Sequence, residues 1–363
     1  MRNVKLMMTV LLVTLSLIAG ACVSGSAPEG VANSNGATRQ RDPNAPVKIG
    51  FSMDTLKEER WQRDKELVER RAREVGAEVS VAVANGDDRL QINQAENLLT
   101  QGVDVLIVAP HNGEVAASIV EAAHRRGVPV ISYDRLIRNS DVDLYVSHQV
   151  VKIGEMQAGY LLERAPKGNY VVVQGSETDN NARLLHVGQM NILQPAVTRG
   201  DIKIVANQPA KEWSASAALN IVENALTQAN NNIVAVVASN DGTARGAIQA
   251  LEAQNLAGKT LVSGQDADLA SVQLILQDKQ TMTVYKPIQP LAYGAVDAAL
   301  KMARGEKLAT TDTVNNGKID VPAILYEPVA VGKDNLLATV VKDGYHTLAR
   351  LCEGIPADKC PKP

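Results

Sequence analysis

Trp61 and Trp213 are the only tryptophans in this sequence, and Phe51 is its only phenylalanine. Aliphatic residues fill the interior, so each indole is read as a flat apolar face offered to something planar and partly polar. Both lie near Arg, Asp and Asn clusters at the predicted ends of strands. A pyranose asks for that combination, because its C–H faces stack on rings while each hydroxyl on its rim donates and accepts. The alternative for either Trp taken singly is a plug in a surface groove.

The polar clusters fall at several strand ends. Asp134-Arg135 ends one strand, Asn240-Asp241 another, Gln265-Asp266 a third and Tyr285-Lys286 a fourth, while Arg60-Trp61 opens the first helix and Asp179-Asn180-Asn181 follows Gly175. Open parallel sheets bind ligands at strand carboxyl ends. Asp134 and Asp266 would accept from vicinal hydroxyls, Arg60, Arg135 and Lys286 would donate, and Asn181 and Asn240 can do both. Asn240 is equally placed to cap the helix that begins near Thr243. Asp266 and Asp268, two apart, could be read as a glycosidase pair. Such a pair needs a shared cleft with room for water, and the Asn and Lys around these two suit binding without chemistry.

Other chemistry finds no support. The five histidines (111, 124, 148, 186 and 346) show no metal-ligand spacing, and neither a G-x-S-x-G elbow nor a phosphate-binding Walker loop is present. No cofactor and no metal are expected. A net charge of −3 provides no basic field for nucleic acid.

These residues need a scaffold of alternating strands and helices, and the pattern predicts one. Val47–Met53 reads as a buried strand, 56–75 as a helix with Leu67, Val68, Ala72 and Val75 on one face, then strand 78–84, helix 90–101, strand 103–110, helix 115–126 and strand 128–134. Gly102 and Gly127 close two of the helices. Runs such as VDVLIVAP indicate a parallel sheet covered on both faces. The pattern repeats, with strands at 170–174, 202–206, 233–239, 260–263 and 282–285 and helices at 181–194, 215–228, 243–254 and 267–277. The two lobes join near 146–150. A helix over 291–304 and a last strand over 323–331 follow, and each junction there could return the chain between the lobes. The fold class is α/β, two doubly wound parallel-sheet lobes.

The amino terminus sets the compartment. Met1–Lys5 is a basic head, 6–21 an apolar run of sixteen residues, too short for the roughly 20 of a span, and Ala19-Gly20-Ala21-Cys22 closes it. Residues 1–22 thus read as a lipoprotein export signal with Cys22 as the lipid anchor, against an ordinary secretory signal with an incidental cysteine. Ala19 departs from the Leu favoured there. Residues 23–46, VSGSAPEGVANSNGATRQRDPNAP, form a flexible tether. The protein is expected to be exported and membrane-anchored, in the periplasm or on the outer face of the cell membrane. Cys352 and Cys360 pair as a disulfide or remain free thiols, according to the redox state outside the cell.

Six segments carry a resemblance: ERWQRD (59–64), ISYDRLI (131–137), DNNARL (179–184), VVASNDGTARGAIQAL (236–251), SGQDADLA (263–270) and QTMTVYKPI (280–288). Over residues 47–345 the chain resembles the periplasmic D-xylose-binding proteins of ABC importers. The resemblance implies a type I periplasmic binding fold with a three-strand hinge, and a pentose or hexose pyranose held between the lobes. It places Arg60, Trp61, Asp134 and Arg135 against the sugar from the first lobe, Asn181, Trp213, Asn240 and Asp266 from the second, and Lys286 at a hinge. The lobes would then comprise 47–147 with 287–321 and 148–286 with 322–350, leaving 351–363 as a tail on a monomeric body. One segment departs: where such proteins read Ser/Thr-Phe-Asp-Asn before Val/Ile-Gly, this chain reads Ser147-His148-Gln149-Val150-Val151-Lys152-Ile153-Gly154, which puts the first hinge crossing's hydrogen bonds in question. The implied role is a non-enzymatic sugar receptor feeding an ABC permease by hinge closure. A sensory module presenting the same closed surface to a membrane kinase or chemoreceptor is the alternative, and a two-lobed transcription regulator fails because an export signal stands where a DNA-binding helix-turn-helix would be.

Overall fold

The computed structural model describes residues 45–310 and 312–362. The export signal, Cys22 and all but the last two residues of the tether lie outside them. The first lobe begins with β1 (Lys48–Met53), α1 (Glu59–Glu74), β2 (Glu78–Val83), α2 (Asp88–Thr100), β3 (Val105–Ala109), α3 (Ala117–His124), β4 (Val130–Tyr133) and β5 (Leu144–His148). The second lobe takes α4 (Val150–Arg164), β6 (Gly168–Gln174), α5 (Asn180–Arg199), β7 (Ile202–Pro209), α6 (Ala215–Gln228), β8 (Ala235–Ala238), α7 (Asp241–Ala253), β9 (Leu261–Val262), α8 (Leu269–Leu276) and β10 (Thr283–Tyr285). The chain then returns to the first lobe with α9 (Ile288–Ala303), β11 (Asp312–Asn315) and β12 (Asp320–Tyr326). It ends in the second lobe with β13 (Val329–Val331) and α10 (Leu348–Cys352).

Seven strands form the first sheet in the order β11-β12-β5-β4-β3-β1-β2, parallel except for β11 at the edge. In the second, β7-β6-β8-β9 are parallel. Backbone bonds such as Val284 N to Gly264 O (3.1 Å) carry that sheet on to β10, against which β13 runs antiparallel. β3 is buried throughout, as its unbroken apolar run requires, because helices cover both faces. α1 and α9 pack on one face of the first sheet, α2 and α3 on the other. In the second lobe α6 and α7 cover one face, α4 and α5 the other.

Several boundaries differ from the sequence reading, three of them with consequences. The single strand expected over 323–331 is two strands, β12 and β13, interrupted at Glu327-Pro328, where proline cannot donate to a ladder. β12 pairs with β5, so residues up to Tyr326 sit in the first sheet, beyond the expected limit of 321. Helix α5 also runs on through Pro195, past its expected end at Gln194.

The lobes are joined at His148-Gln149, Lys286-Pro287 and Glu327-Pro328. There Gln149 donates from its backbone N to Tyr326 O (3.1 Å) and from Nε2 to Glu327 Oε1 (2.7 Å), and Lys152 pairs with Glu327. His148 Nε2 lies 3.3 Å from Pro287 O. The departing segment therefore makes hinge bonds of its own. Burial, with Lys286 adding, pushes His148 down to about 3, so it stays neutral at this crossing.

At the carboxyl end Cys352 and Cys360 form a disulfide. It closes a loop beside α8, where Gln273 Nε2 donates to Arg350 O and Glu353 O. His346 Nε2 bonds Ala267 O at 2.8 Å, so this segment buttresses the turn that carries Asp266.

Candidate functional site

Strand ends place the site. Asp134 and Arg135 follow β4, and Lys286 follows β10. Asp266 lies in the turn after β9, its N donating to Val284 O (2.9 Å). Asp134 (φ 59°) and Asp266 (φ 96°) both adopt left-handed backbone, rare for non-glycine residues and held only where the surroundings over-determine it. Arg60 and Trp61 come from the first turn of α1, Asn181 from the first turn of α5, and Asn240 caps α7. Trp213 ends a short 3-10 turn, 211–213, again with positive φ. Gly175 passes beneath the Trp213 ring so closely that a methyl group there would overlap it.

All nine sequence-predicted residues line one cavity between the lobes. Glu58, Asp179 and Gln265 line it too. Asp179 and Gln265 lay in polar clusters already noted at strand ends; Glu58, one residue before α1, stood out by no spacing.

On the first-lobe side the charges are paired. Arg60 Nη1 donates to Asp134 Oδ2 (2.7 Å), while its Nε and Nη2 meet both oxygens of Asp64 (3.0 and 3.1 Å). The i,i+4 spacing of Arg60 and Asp64 on α1 makes that fork, and the Tyr133 hydroxyl closes on Asp64 from β4. Burial alone would raise the Asp134 carboxyl, but Arg60 and Lys286 outweigh it and hold it below the usual carboxylate range. Arg135 Nη1 donates to Asp54 Oδ2 (2.6 Å) and Pro110 O (3.2 Å). The guanidinium carbons of Arg60 and Arg135 lie 4.3 and 5.1 Å from the Trp61 ring centroid, so Trp61 holds both arginines as well as lining the cavity.

Across the cleft the lobes touch. Arg135 Nε pairs with Asp179 Oδ2 (2.8 Å), and Asn181 Nδ2 donates to Asp134 O and Oδ1 (3.1 and 3.2 Å). Gly113 N donates to Thr178 O (3.0 Å), and Leu269 N to Glu59 Oε2 (2.9 Å). The cleft is closed.

The second-lobe side is less satisfied. Asn240 Oδ1 accepts from Thr243 N (2.8 Å) in a capping box, so it does cap α7, while its Nδ2 donates to nothing among the described residues. Lys286 Nζ stands 3.2 Å from Asp266 Oδ1 and 3.3 Å from Asp134 Oδ2, bridging the two carboxylates. The first of these lacks hydrogen-bond geometry, so Asp266 Oδ1 is buried without a donor among the described residues. Trp213 Nε1 and Glu58 Oε2 are likewise buried and unpartnered. Unpaired buried polar atoms are costly. Here acceptors and donors of both kinds face one cavity, which suits a ligand rich in hydroxyls.

Asp268 takes another course. Its Oδ2 meets Arg245 Nη1 at 2.9 Å, and it does not line the cavity with Asp266. No group of three or more His, Cys, Asp or Glu among the described residues could hold a metal ion, and no described helix is long and apolar enough to cross a membrane.

Comparison with known proteins agrees with this geometry. Residues 49–307 match the family model of the periplasmic binding protein domain. The D-xylose-binding periplasmic protein of Haemophilus influenzae is 50% identical over 301 residues, covering 83% of this chain and 91% of that protein. Its namesake in Escherichia coli is 48% identical over 305 residues, covering 84% and 92%. Among solved structures, a carbohydrate transporter solute-binding protein from Chloroflexus aurantiacus in complex with D-glucose superposes with a TM-score of 0.81 at 33% identity, covering 84% of this chain and 98% of that one.

Proposed function

This chain belongs to the periplasmic binding protein family, and on that premise we propose that it is an exported receptor for a single monosaccharide pyranose, D-xylose foremost, which it delivers to a membrane ABC importer. The observation that carries the reading is the buried Asp266 Oδ1, which has an ion pair with Lys286 but no hydrogen-bond donor among the described residues, facing a cavity that the second lobe shares with the first-lobe charges Arg60, Asp134 and Arg135. A sugar hydroxyl donates where Lys286 does not, and other hydroxyls accept from Asn240 Nδ2. A ligand touching both lobes favours the closed form by the contacts it makes only there, so binding shifts the hinge equilibrium toward the shape an importer recognises.

Xylose is preferred to glucose because the relatives bearing the xylose name are 48% and 50% identical, against 33% for the glucose-bound structure. Isothermal calorimetry of the purified protein against D-xylose, D-glucose, L-arabinose and D-ribose tests this. D-xylose should bind tightest with one site, and tighter binding of D-glucose would overturn the pentose assignment.

We read the site as binding without turnover, since Asp268 is engaged with Arg245 and the two carboxylates that do share the cavity, Asp134 and Asp266, hold the Lys286 ammonium between them where a hydrolase pair needs room for water. Cys22 is proposed as the lipid anchor. Replacing it with Ser should release the protein from membranes and leave sugar affinity unchanged; wild-type protein found soluble without detergent would contradict the anchor.

A further inference from the structure

The turn that brings Trp213 to the cavity is held from the opposite lobe. Its residues Glu212 (φ 54°) and Trp213 (φ 53°) both occupy left-handed backbone, which a free loop of ordinary residues would leave. Lys57 Nζ, in the first lobe, donates to Glu212 O at 2.7 Å. The Glu212 carboxylate lies 3.8 Å from Nε2 of His111, also in the first lobe. A second cavity, about 120 Å³, sits among these groups and shares Glu58, Arg135 and Trp213 with the sugar cavity.

We propose that Glu212, together with Lys57 and His111, is a positioning residue for the sugar: a proton-dependent latch that seats Trp213 on the ligand in the closed cleft. The inference rests on the sugar-receptor reading above.

The charges around His111 decide the direction. Its Nδ1 lies 2.9 Å from Asp54 Oδ1, and its backbone N donates to Gln91 Oε1 (2.9 Å), which fixes the ring. Arg135, on the other oxygen of Asp54, opposes a positive imidazole; Glu212 and, from the same lobe as His111, Asp87 and Asp88 favour it. Lys57 is engaged with the Glu212 carbonyl and, at 3.6 Å, with Glu58. The hydrogen bond with Asp54 raises His111 above its ordinary 6.5 against its partial burial, and the charges of Asp54, Glu212 and Asp88 add to the rise. Asp54, Arg135 and Asp88 belong to the same lobe as His111 and stay near it when the cleft opens. Glu212 does not. The closed form therefore holds the imidazole proton more tightly than the open form, and by linkage protonation favours closure. Sugar affinity should be highest below the open-form pKa and fall as pH rises through the closed-form value.

Glu212 also reaches the ligand only through the turn that ends in Trp213. A loosened turn returns toward ordinary backbone and withdraws the indole, so the proton and the ring contact are coupled. This differs from a surface ion pair elsewhere, which would change neither the affinity nor its pH dependence.

Calorimetry with D-xylose from about pH 5.5 to about pH 8.5 tests the latch on the full-length chain. Wild-type affinity should fall by about two- to fivefold across that window, and less steeply at about 1 M salt than at about 0.1 M. E212Q and H111Q should each lose the wild-type slope, binding at every pH as the wild type does at high pH, while E212D keeps most of it. Asp268, which burial raises to about 6, titrates in the same window, so the slope assigned to the latch is the difference between wild type and variants. A wild-type profile without slope, or an equal slope in E212Q and H111Q, would overturn the proposal. Glu212 is half-exposed, so E212Q alone decides should H111Q fail to fold. Wild-type protein that binds neither D-xylose nor another monosaccharide at any pH would instead overturn the receptor reading and this inference with it.

Discussion

The two walls of the cleft differ in how they treat their polar atoms. On the first-lobe wall, Arg60 is forked by Asp64 and bonded to Asp134, Arg135 is bonded to Asp54, and Trp61 lies in cation–π range of both guanidinium groups. On the second-lobe wall, Trp213 Nε1 is buried with no hydrogen-bond partner among the described residues, Asp266 Oδ1 has an ion pair with Lys286 but no hydrogen bond, and Asn240 offers its Nδ2 beside its capping oxygen. Glu58 Oε2 is the exception on the first side. The difference teaches a division of labour. On the proposed reading, the first lobe would hold its half of the site ready-made, while the second lobe's half would be completed by the ligand and favour closure.

That contrast predicts substitutions of two kinds, and the largest effect belongs to the first wall. Arg60→Met leaves Asp64 as a buried carboxylate without a cation and Asp134 with Lys286 alone, which should cost ~3–5 kcal/mol of stability and abolish measurable sugar binding. Chemical unfolding of the ligand-free protein reads the first and calorimetry the second. A variant of normal stability would break the comparison, because it would mean that the first wall is not a self-sufficient network.

Asp266→Asn is the counterpart on the second wall. One of two acceptors becomes a donor, mismatching a sugar hydroxyl by ~1.5–3 kcal/mol, so affinity should fall at least about tenfold while the ligand-free melting temperature barely moves. Loss of folding in this variant would make Asp266 a structural residue and move it to the first group. Next in size, Trp213→Ala should weaken binding by ~1–3 kcal/mol through lost apolar contact, and adding sugar to the wild type should perturb tryptophan fluorescence. Unchanged affinity in both Trp213→Ala and Trp61→Ala would remove the stacking role. The smallest effect on affinity is expected for Cys352→Ser. Opening so short a loop should cost at most ~2–3 kcal/mol of stability, read as a lower melting temperature, and should reach the site only through the His346 bond to Ala267.

Much of the site's membership was legible in the sequence, and the reasons are physical. Strand carboxyl ends advertise themselves, since an apolar run that stops at Asp-Arg, Asn-Asp or Tyr-Lys can only turn its polar residues outward from the sheet, and the residues read that way reach one cavity together with Arg60 and Trp61 from a helix start, Trp213 read as an isolated indole, and Asn181, which only the resemblance distinguished from Asn180. Asn240 illustrates the limit of such reading: capping and cavity-lining looked like alternatives, yet one amide does both because its two ends are chemically different. Which atoms would be left unpaired was not legible. That depends on the left-handed backbone at Asp134 and Asp266 and on the cross-lobe reach of Arg135 to Asp179, none of which a residue type announces. The crossing at Glu327-Pro328 was missed for a similar reason: two short strands in different sheets, end to end, have the apolar pattern of one.

A crystal structure with D-xylose bound tests the central claim most directly. The account predicts the pyranose ring in the cavity between the lobes, against the Trp213 indole, with one sugar hydroxyl donating to Asp266 Oδ1 and another accepting from Asn240 Nδ2. A sugar seated elsewhere, or one in this cavity with Asp266 Oδ1 taken by Lys286 and no hydroxyl upon it, would contradict the claim that the ligand completes the second lobe.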